Sequence, residues 1–167
     1  MSGHLEANPK LAPVVIPGRL LNEIYTHALE NYPEECCGLL TGSGPGCFDA
    51  VHRCDNKMNL RHGEDPLRHP RGGRVAFRLE PEDYVEILKE AKAAGSRVTG
   101  LYHSHVEAGA YLSEDDQKDA LQNPYPFPEA DHMVVSVVER VVKGVAAFRW
   151  LPGKKRFEGR RLVAEAP

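Results

Sequence analysis

Two histidines, a serine and an aspartate stand at fixed spacing in the second half of this 167-residue chain. They are His103, His105, Ser113 and Asp116, in the pattern H-x-H-x7-S-x-x-D. Two imidazoles and a carboxylate match the ligand set of a catalytic zinc, which takes three protein ligands and keeps a fourth position for water. These residue types at this spacing therefore predict a metal site.

A structural explanation of the same residues is also available. A serine followed three positions later by an acidic residue is an ordinary helix-capping arrangement, and histidines are common in polar loops. Four residue types at set offsets are much rarer by chance than either feature alone. The combination therefore favours metal binding.

The elements around the motif give its spacing a geometric reason. The stretch RVTGLYHSH is rich in β-branched and apolar residues, which predicts a strand that ends at the site. Side chains at positions i and i+2 of a strand share a face, so His103 and His105 project together and Ser104 points away. Ser113 is then expected to be the N-cap of a short helix. Asp116, in the first turn of that helix, can turn back toward the strand end.

The rest of the chain predicts a single domain of the α/β (α+β) class. Apolar periodicity predicts helices over 17–31 and 81–95. Late strands that follow one another directly favour a mixed, mostly antiparallel sheet flanked by helices. We expect residues 1–14 to be a flexible N-terminus and residues 15–164 to form the domain. Further strands are predicted in CGLLTG, CFDAVHRC, VAFRL, HMVVSVVERVV, GVAAFRWLP and RFEGRRLVAE, with the turn between HMVVSVVERVV and GVAAFRWLP at Lys143-Gly144.

Residues 55–73 are expected to be a long irregular insertion, because they show no periodicity and are rich in basic residues, Pro and Gly. A second irregular segment, the Pro-rich and aromatic loop 123–131, follows the predicted metal helix.

Composition excludes several classes of protein. A hydrophobic content of 41%, a charged content of 27% and a net charge of −3 are typical of a globular protein without affinity for nucleic acid or anionic membranes. The N-terminal residues lack the basic start and apolar stretch of a secretory signal, so the expected compartment is the cytoplasm. The four cysteines fit no zinc-finger spacing and are expected to be buried, reduced thiols.

A metal hydrolase also needs a carboxylate that accepts and returns a proton. The acidic residues nearest to the motif or to the first strand are the candidates, and their spacing alone does not choose among them. They are Glu34, Glu35, Glu107, Glu114 and Asp115.

The residues from Glu35 to Gly38, with the downstream H-S-H-x7-S-x-x-D, resemble the JAMM (MPN+) metalloprotease family, whose pattern is E-x-x-G followed by H-[ST]-H-x7-S-x-x-D. The resemblance covers roughly residues 15–150. It implies a curved, cytidine-deaminase-like sheet flanked by helices, and one zinc ion per chain.

The resemblance also implies a role for each matching residue. His103, His105 and Asp116 would be the zinc ligands, Glu35 the general acid/base, and Ser113 the hydroxyl that stabilises the oxyanion. Asp115 is an alternative carboxylate ligand, although the family spacing favours Asp116. The chain departs from many relatives in having Val106 where they have Pro after the second histidine.

The family resemblance implies hydrolysis of an amide or isopeptide bond after the C-terminal tail of a ubiquitin-like protein. The compact chain looks most like prokaryotic members that process ubiquitin-like sulfur-carrier proteins. Some of these release cysteine from the carrier and others trim an extension past its terminal Gly-Gly. Candidate substrate contacts are Arg61 and Arg68 in the basic insertion, together with Arg71 and Arg74, and Tyr125 and Phe127 in the Pro-rich loop.

Alternatives remain at each of these points. A solvated surface loop is the simpler explanation of the basic insertion, and ordinary packing under a Pro-rich turn is the simpler explanation of the aromatic residues in the loop 123–131. At the level of function, the alternatives are a zinc amidohydrolase or peptidase for small substrates and a non-catalytic scaffold of the same fold. The sequence leaves the oligomeric state and the leaving group open.

Overall fold

The architecture is built on a mixed β-sheet that carries both predicted histidine ligands on a central strand. The computed structural model describes residues 3–68, 71–74, 76–122, 127 and 129–166. Within these residues seven strands pair in the order β1-β7-β6-β5-β4-β2-β3. The strands are β1 Val14–Ile16, β2 Cys37–Gly42, β3 Ala50–Cys54, β4 Arg97–Val106, β5 Asp131–Val138, β6 Val141–Leu151 and β7 Arg156–Ala164. The helices are α1 Gly18–Asn31, α2 Met58–Glu64, α3 Pro81–Ala93 and α4 Glu114–Gln122.

The pairing pattern confirms the predicted α+β fold with a mixed, mostly antiparallel sheet. Strands β1 and β7 are parallel, as are β4 and β5, and the other neighbouring pairs are antiparallel. The parallel pair β4 and β5 is connected through α4, as parallel neighbours require a crossover. This crossover brings the first turn of α4 back to the end of β4.

Helices cover the two faces of the sheet separately. On one face, α1 buries Leu20, Leu21 and Ile24 in a core cluster that also contains Tyr102 of β4. On the other face, α3 packs Tyr84 and Ile87 into a second cluster that contains Leu101 of β4. Consecutive residues of β4 therefore face opposite cores, as strand geometry requires.

The ring of Tyr102 on β4 lies over Gly38 on the neighbouring strand β2. A Cβ atom at Gly38 would overlap the ring of Tyr102. Tyr102 in turn contacts α1 through a hydrogen bond of 2.7 Å between its hydroxyl and His27 Nδ1. The glycine of the E-x-x-G pattern thus allows the tyrosine ring to pass over β2.

The N-terminal residues lie along the domain. Leu5 forms an antiparallel bridge with Leu112, and the Asn8 amide donates to the Gly159 carbonyl at 2.9 Å. The sequence predicts that residues 1–14, which include this segment, form a flexible N-terminus. In the structure it covers Leu112, which is fully buried in a third core cluster.

Two sequence predictions about local structure are wrong. Residues 76–79 of the predicted VAFRL strand are irregular, and Val75 lies outside the described residues. The Asn56 side chain donates to the Ala76 carbonyl and accepts from the Arg78 amide, so it occupies backbone groups that a neighbouring strand would pair with. In addition, the insertion 55–73 is not wholly irregular, because it contains α2.

The position of the late hairpin is also corrected. The turn lies at Glu139-Arg140, both with positive φ, and not at Lys143-Gly144. Positive φ at both central residues is the requirement of a two-residue type I′ hairpin. Gly144 pairs with Ser136 inside the sheet, next to a register shift. Gly144 therefore lies beside a β-bulge within β6 and not in the turn.

The four cysteines are all free. Cys36, Cys37 and Cys54 are buried, as predicted, whereas Cys47 is exposed. A search of the described residues finds no helix with the length and apolar character needed to cross a membrane.

Candidate metal centre

Strand β4 presents His103 and His105 on the same face. Both are buried, with exposures of 2% and 6%. Ser104, between them, points to the opposite face, and its Oγ accepts the Cys36 amide hydrogen at 2.7 Å. This bond fixes the start of β2, and hence Glu35, relative to the histidines.

Helix α4 supplies the third side chain. The Asp116 amide donates to Ser113 Oγ at 3.0 Å, and the Ser113 amide donates to Asp116 Oδ2 at 3.3 Å. This reciprocal pair is a capping box, so Ser113 has the predicted N-cap geometry. The capping also turns the Asp116 carboxylate back toward β4, where Oδ2 lies 3.2 Å from His103 Nε2 and 3.1 Å from His105 Nε2.

The spacing of these three atoms fits a tetrahedral metal ion. The two Nε2 atoms are 3.2 Å apart, so the three ligand atoms form a nearly equilateral triangle. Zinc bonds to His nitrogen and carboxylate oxygen of about 2.0–2.1 Å imply tetrahedral edges of about 3.3–3.4 Å. The triangle is within a few tenths of an ångström of that size.

Hydrogen bonding prepares His105 to be a ligand. Its Nδ1 lies 2.9 Å from the Gly109 carbonyl, which can only accept, so Nδ1 carries the proton. In the neutral ring, Nε2 then presents a lone pair toward the Asp116 carboxylate. The Nε2 lone pair and the Asp116 carboxylate are both acceptors, so at this distance they suit a cation between them. In metal sites a backbone carbonyl often orients a histidine ligand in this way, by accepting the proton of its other ring nitrogen.

Burial and charge set the protonation states of the other two ligands. Burial lowers the pKa of His103, and Asp116 offsets this only in part, so His103 is neutral at pH 7. Burial alone would raise the pKa of Asp116, but the adjacent imidazoles hold it well below its usual range. A neutral His103 and an ionised Asp116 are the forms of these groups that bind a metal.

Aromatic rings fix the imidazoles in place. Phe77 stacks on His103 with ring centroids 4.4 Å apart, and Tyr111 meets His105 edge to face at 4.9 Å. Sequence reasoning missed both rings. Tyr111 lies between His105 and Ser113, so the sequence could have indicated that it is near the site. Phe77 lies in the VAFRL stretch, whose composition predicts only a strand.

Two of the three candidate ligands, His105 and Asp116, border a cavity of about 300 Å³. Charged and polar side chains dominate its wall. The described residues that line it are Glu35, Arg71, Arg74, His105, Val106, Ala108, Tyr111, Ser113, Asp115 and Asp116.

Glu35 is the buried carboxyl group of this cavity. It is 5% exposed, and burial, followed by the charge of Asp116, raises its pKa to about 9 although Arg71 opposes the change. Its amide donates to the Gly73 carbonyl at 2.7 Å, and its carbonyl accepts from Asn56 at 2.9 Å. A carboxyl group held this way is poised to carry a proton.

The other candidate bases are engaged elsewhere. Glu34 accepts a hydrogen bond from Asn59, Glu107 accepts from Tyr32, and Glu114 pairs with Lys118 at 3.2 Å. Asp115 lines the cavity but is 61% exposed and lies 3.5 Å from Arg71. The geometry therefore favours Glu35.

The candidate substrate contacts are only partly brought to the cavity. Arg61 pairs with Glu80 at 2.6 Å and Glu64 at 3.0 Å, and Arg68 is exposed; neither lines the cavity. Phe127 is buried against Tyr84 in the α3 core cluster, with ring centroids 5.4 Å apart. Tyr125 lies outside the described residues. The two arginines that do reach the cavity, Arg71 and Arg74, belong to the same basic stretch.

Comparison with known proteins now gives the class of protein. Residues 17–151 match the family model described as prokaryotic homologs of the JAB domain, and the chain belongs to that family. The resemblance to JAMM metalloproteases drawn from the sequence motif is thereby confirmed.

Individual relatives place the chain within this family. It is 34% identical to a protein of Haloferax volcanii named desampylase over 64% of this chain and 71% of that protein. It is 27% identical to a protein of Mycobacterium tuberculosis named CysO-cysteine peptidase over 91% of this chain and 92% of that protein.

Solved structures agree on the fold. A Desulfitobacterium hafniense protein superposes with a TM-score of 0.68 at 18% identity, covering 92% of this chain and 93% of that protein. A Salinibacter ruber protein superposes with a TM-score of 0.59 at 27% identity, covering 92% of both chains.

Proposed function

We propose that this protein is a zinc metallopeptidase that hydrolyses the amide or isopeptide bond after the C-terminal tail of a ubiquitin-like sulfur-carrier protein. The observation that carries the proposal is that the three candidate ligands lie together and that two of them, His105 and Asp116, line one cavity with the buried Glu35. The names of the relatives, desampylase and CysO-cysteine peptidase, support a substrate of this class.

His103, His105 and Asp116 would hold the zinc ion. When bound, the ion supplies Lewis acidity at the scissile carbonyl and lowers the pKa of a water molecule. Nitrogen and oxygen ligands in a triangle that leaves one side open toward a cavity suit this role.

Glu35 is proposed to move the proton. Hydrolysis adds the water oxygen to the carbonyl carbon, breaks the C–N bond and requires a proton on the leaving amine. Glu35 takes that proton from water and returns it to the nitrogen. Its pKa is lower when a divalent cation occupies the ligands, which brings it toward the range that suits a general acid and base.

Ser113 is proposed to donate to the oxyanion of the tetrahedral intermediate. Its Oγ accepts the Asp116 amide hydrogen as the helix cap. Accepting that bond leaves the hydroxyl hydrogen available, since a hydroxyl has one donor and two acceptor sites. The described residues offer that hydrogen no competing acceptor. Capping and catalysis are thus compatible in one side chain.

The test is cleavage of a carrier fusion by wild-type protein and by Glu35→Gln. We expect the wild type to release the tail extension and the variant to lose at least about a hundredfold in rate, since general acid–base catalysis contributes about 10²–10⁴-fold. Glu34→Gln is the matched control, because it removes the neighbouring carboxylate that contacts Asn59. Equal rates for Glu35→Gln and wild type at equal zinc content would contradict the mechanism.

A further inference from the structure

Two arginines stand at the candidate active site next to the proposed proton carrier. Arg71 and Arg74 line the same cavity as Glu35 and Ser113. The other charged groups of that wall are Asp115 and Asp116. A cavity that needs only to hold a divalent cation gains nothing from two guanidinium groups at its wall, so their presence calls for another explanation.

Arg71 is partly committed to the protein. Its guanidinium lies 3.5 Å from the carboxylates of both Asp115 and Asp119, in the first turns of α4. Both contacts are long for ion pairs. Its charge is also felt by Glu35, whose pKa it lowers against the larger effect of burial. Arg71 therefore lies between the acidic side of α4 and the proton carrier, and its charge is largely matched.

Arg74 differs from Arg71 in having no ion-pair or hydrogen-bond partner among the described residues. It is exposed and lines the cavity. An arginine without a partner at a cavity wall is a ready site for an anion, and its planar fork suits a carboxylate.

The segment that carries both arginines is attached to Glu35 itself. The Gly73 carbonyl accepts the Glu35 amide hydrogen at 2.7 Å, and the Gly73 amide donates to Asn59 Oδ1 at 2.6 Å. A Cβ at Gly73 would lie 3.2 Å from the Asn59 side chain, a tight approach that a glycine avoids. The cationic segment and the proton carrier are thus held at a fixed separation.

We propose that Arg74, beside Arg71, binds the free α-carboxylate of the leaving group, so that this protein preferentially releases a single amino acid from the carrier tail. In an amino-acid leaving group the carboxylate is one carbon away from the amine that receives the proton. Arg74 and Glu35 line the same cavity, so Arg74 can meet this carboxylate when the amine lies at Glu35. The inference rests on the proposed function and specifies its substrate class.

The experiment compares two versions of one substrate. The probe is a ubiquitin-like carrier ending in Gly-Gly and extended by one alanine, either as the free acid or as the carboxamide. We expect the wild type to cleave the free acid about ten- to a hundredfold more efficiently in kcat/KM, the usual range for one charge-assisted hydrogen bond. Arg74→Gln should lower kcat/KM for the free acid much more than for the carboxamide, so that the preference for the free acid disappears.

Arg68→Gln is the matched control, since Arg68 is exposed in the same insertion but does not line the cavity. It should keep the preference for the free acid. Equal cleavage of the two substrates by the wild type, or an equal loss on both in Arg74→Gln, would overturn the inference while the proposed function stands.

A binding measurement separates this inference from the proposed function. If zinc-loaded wild type cleaves neither substrate, the proposed function fails, and the inference is then judged by affinity alone. Calorimetry of the Glu35→Gln protein should show tighter binding of the free acid, and Arg74→Gln in that background should remove the difference. Equal affinity for the two carriers would reject the carboxylate site.

Discussion

Ser113 shows how one side chain can take part in folding and in the proposed chemistry. Its Oγ caps α4 by accepting the Asp116 amide hydrogen, and the same capping box aims the Asp116 carboxylate at the histidines. The hydroxyl hydrogen remains for the oxyanion. A structural role and a catalytic role can be separated here because different substitutions affect them differently.

Ser113→Ala is expected to lower kcat by about 10²–10³, the usual loss for one oxyanion donor, while zinc remains bound. Loss of the cap should also cost about 1 kcal/mol of stability. Ser113→Gly is the control, because glycine at an N-cap costs only a few tenths of a kcal/mol but equally lacks the hydroxyl. Steady-state rates and thermal melts of both variants give the answer. A glycine variant near wild-type activity would show that Ser113 acts through capping alone.

At the scale of the elements, β4 links the site to the core by alternation. Its odd-numbered residues, His103 and His105, face the candidate metal site, whereas Tyr102 faces α1 and bonds to His27. His27 is 6% exposed, and burial, followed by the charge of Arg53, lowers its pKa to about 4 from 6.5. Nearby Glu30 and Asp55 act in the opposite direction. The imidazole is therefore buried in its neutral form.

This contact predicts a pH dependence of stability. Between pH 6.5 and about 4 the unfolded chain binds a proton at His27 that the folded chain does not, so stability falls as the pH drops through that window. The shift corresponds to about 3 kcal/mol. The measurement is urea unfolding of metal-free protein at pH 7.5 and 4.5. On acidification, the free energy of unfolding should fall by about 3 kcal/mol less for His27→Gln than for the wild type.

His4→Gln, which removes an exposed imidazole, is the control and should follow the wild type. Identical acid sensitivity of His27→Gln and wild type would mean that the loss of stability comes from other groups.

The whole molecule shows which inferences a sequence permits. The alternation of β4 and the cap at Ser113 are local patterns, so the sequence could predict that His103, His105 and Asp116 lie together. The irregular path of residues 76–79 depends on Asn56, twenty residues away in sequence, and local composition carries no sign of it. In the same way, nothing local distinguishes Arg74 from Arg68. The fold of the insertion places Arg74 at the cavity and leaves Arg68 away from it. The hydrogen bond between Gly73 and Asn59 holds this part of the insertion in place.

Metal binding should stabilise the domain, because the proposed ligands on β4 and α4 are brought together only in the folded chain. His103 and His105 lie on β4 and Asp116 on α4. A ligand that binds only the folded state adds about 2.7 kcal/mol at a hundred times its Kd, which for a chain of this size raises Tm by about 5–10 °C. We expect this rise when zinc is added to protein freed of metal by a chelator.

Adjacent carboxylates provide the decisive comparison for this melt. Asp116→Asn should abolish the zinc-dependent rise in Tm, because Asp116 Oδ2 lies within 3.2 Å of both imidazole nitrogens. Asp115→Asn should keep it, because Asp115 is exposed and contacts Arg71 instead. The measurement needs no substrate, so it tests the ligand assignment independently of any peptidase activity. A rise that survives in Asp116→Asn but is lost in Asp115→Asn would show that the neighbouring carboxylate is the ligand.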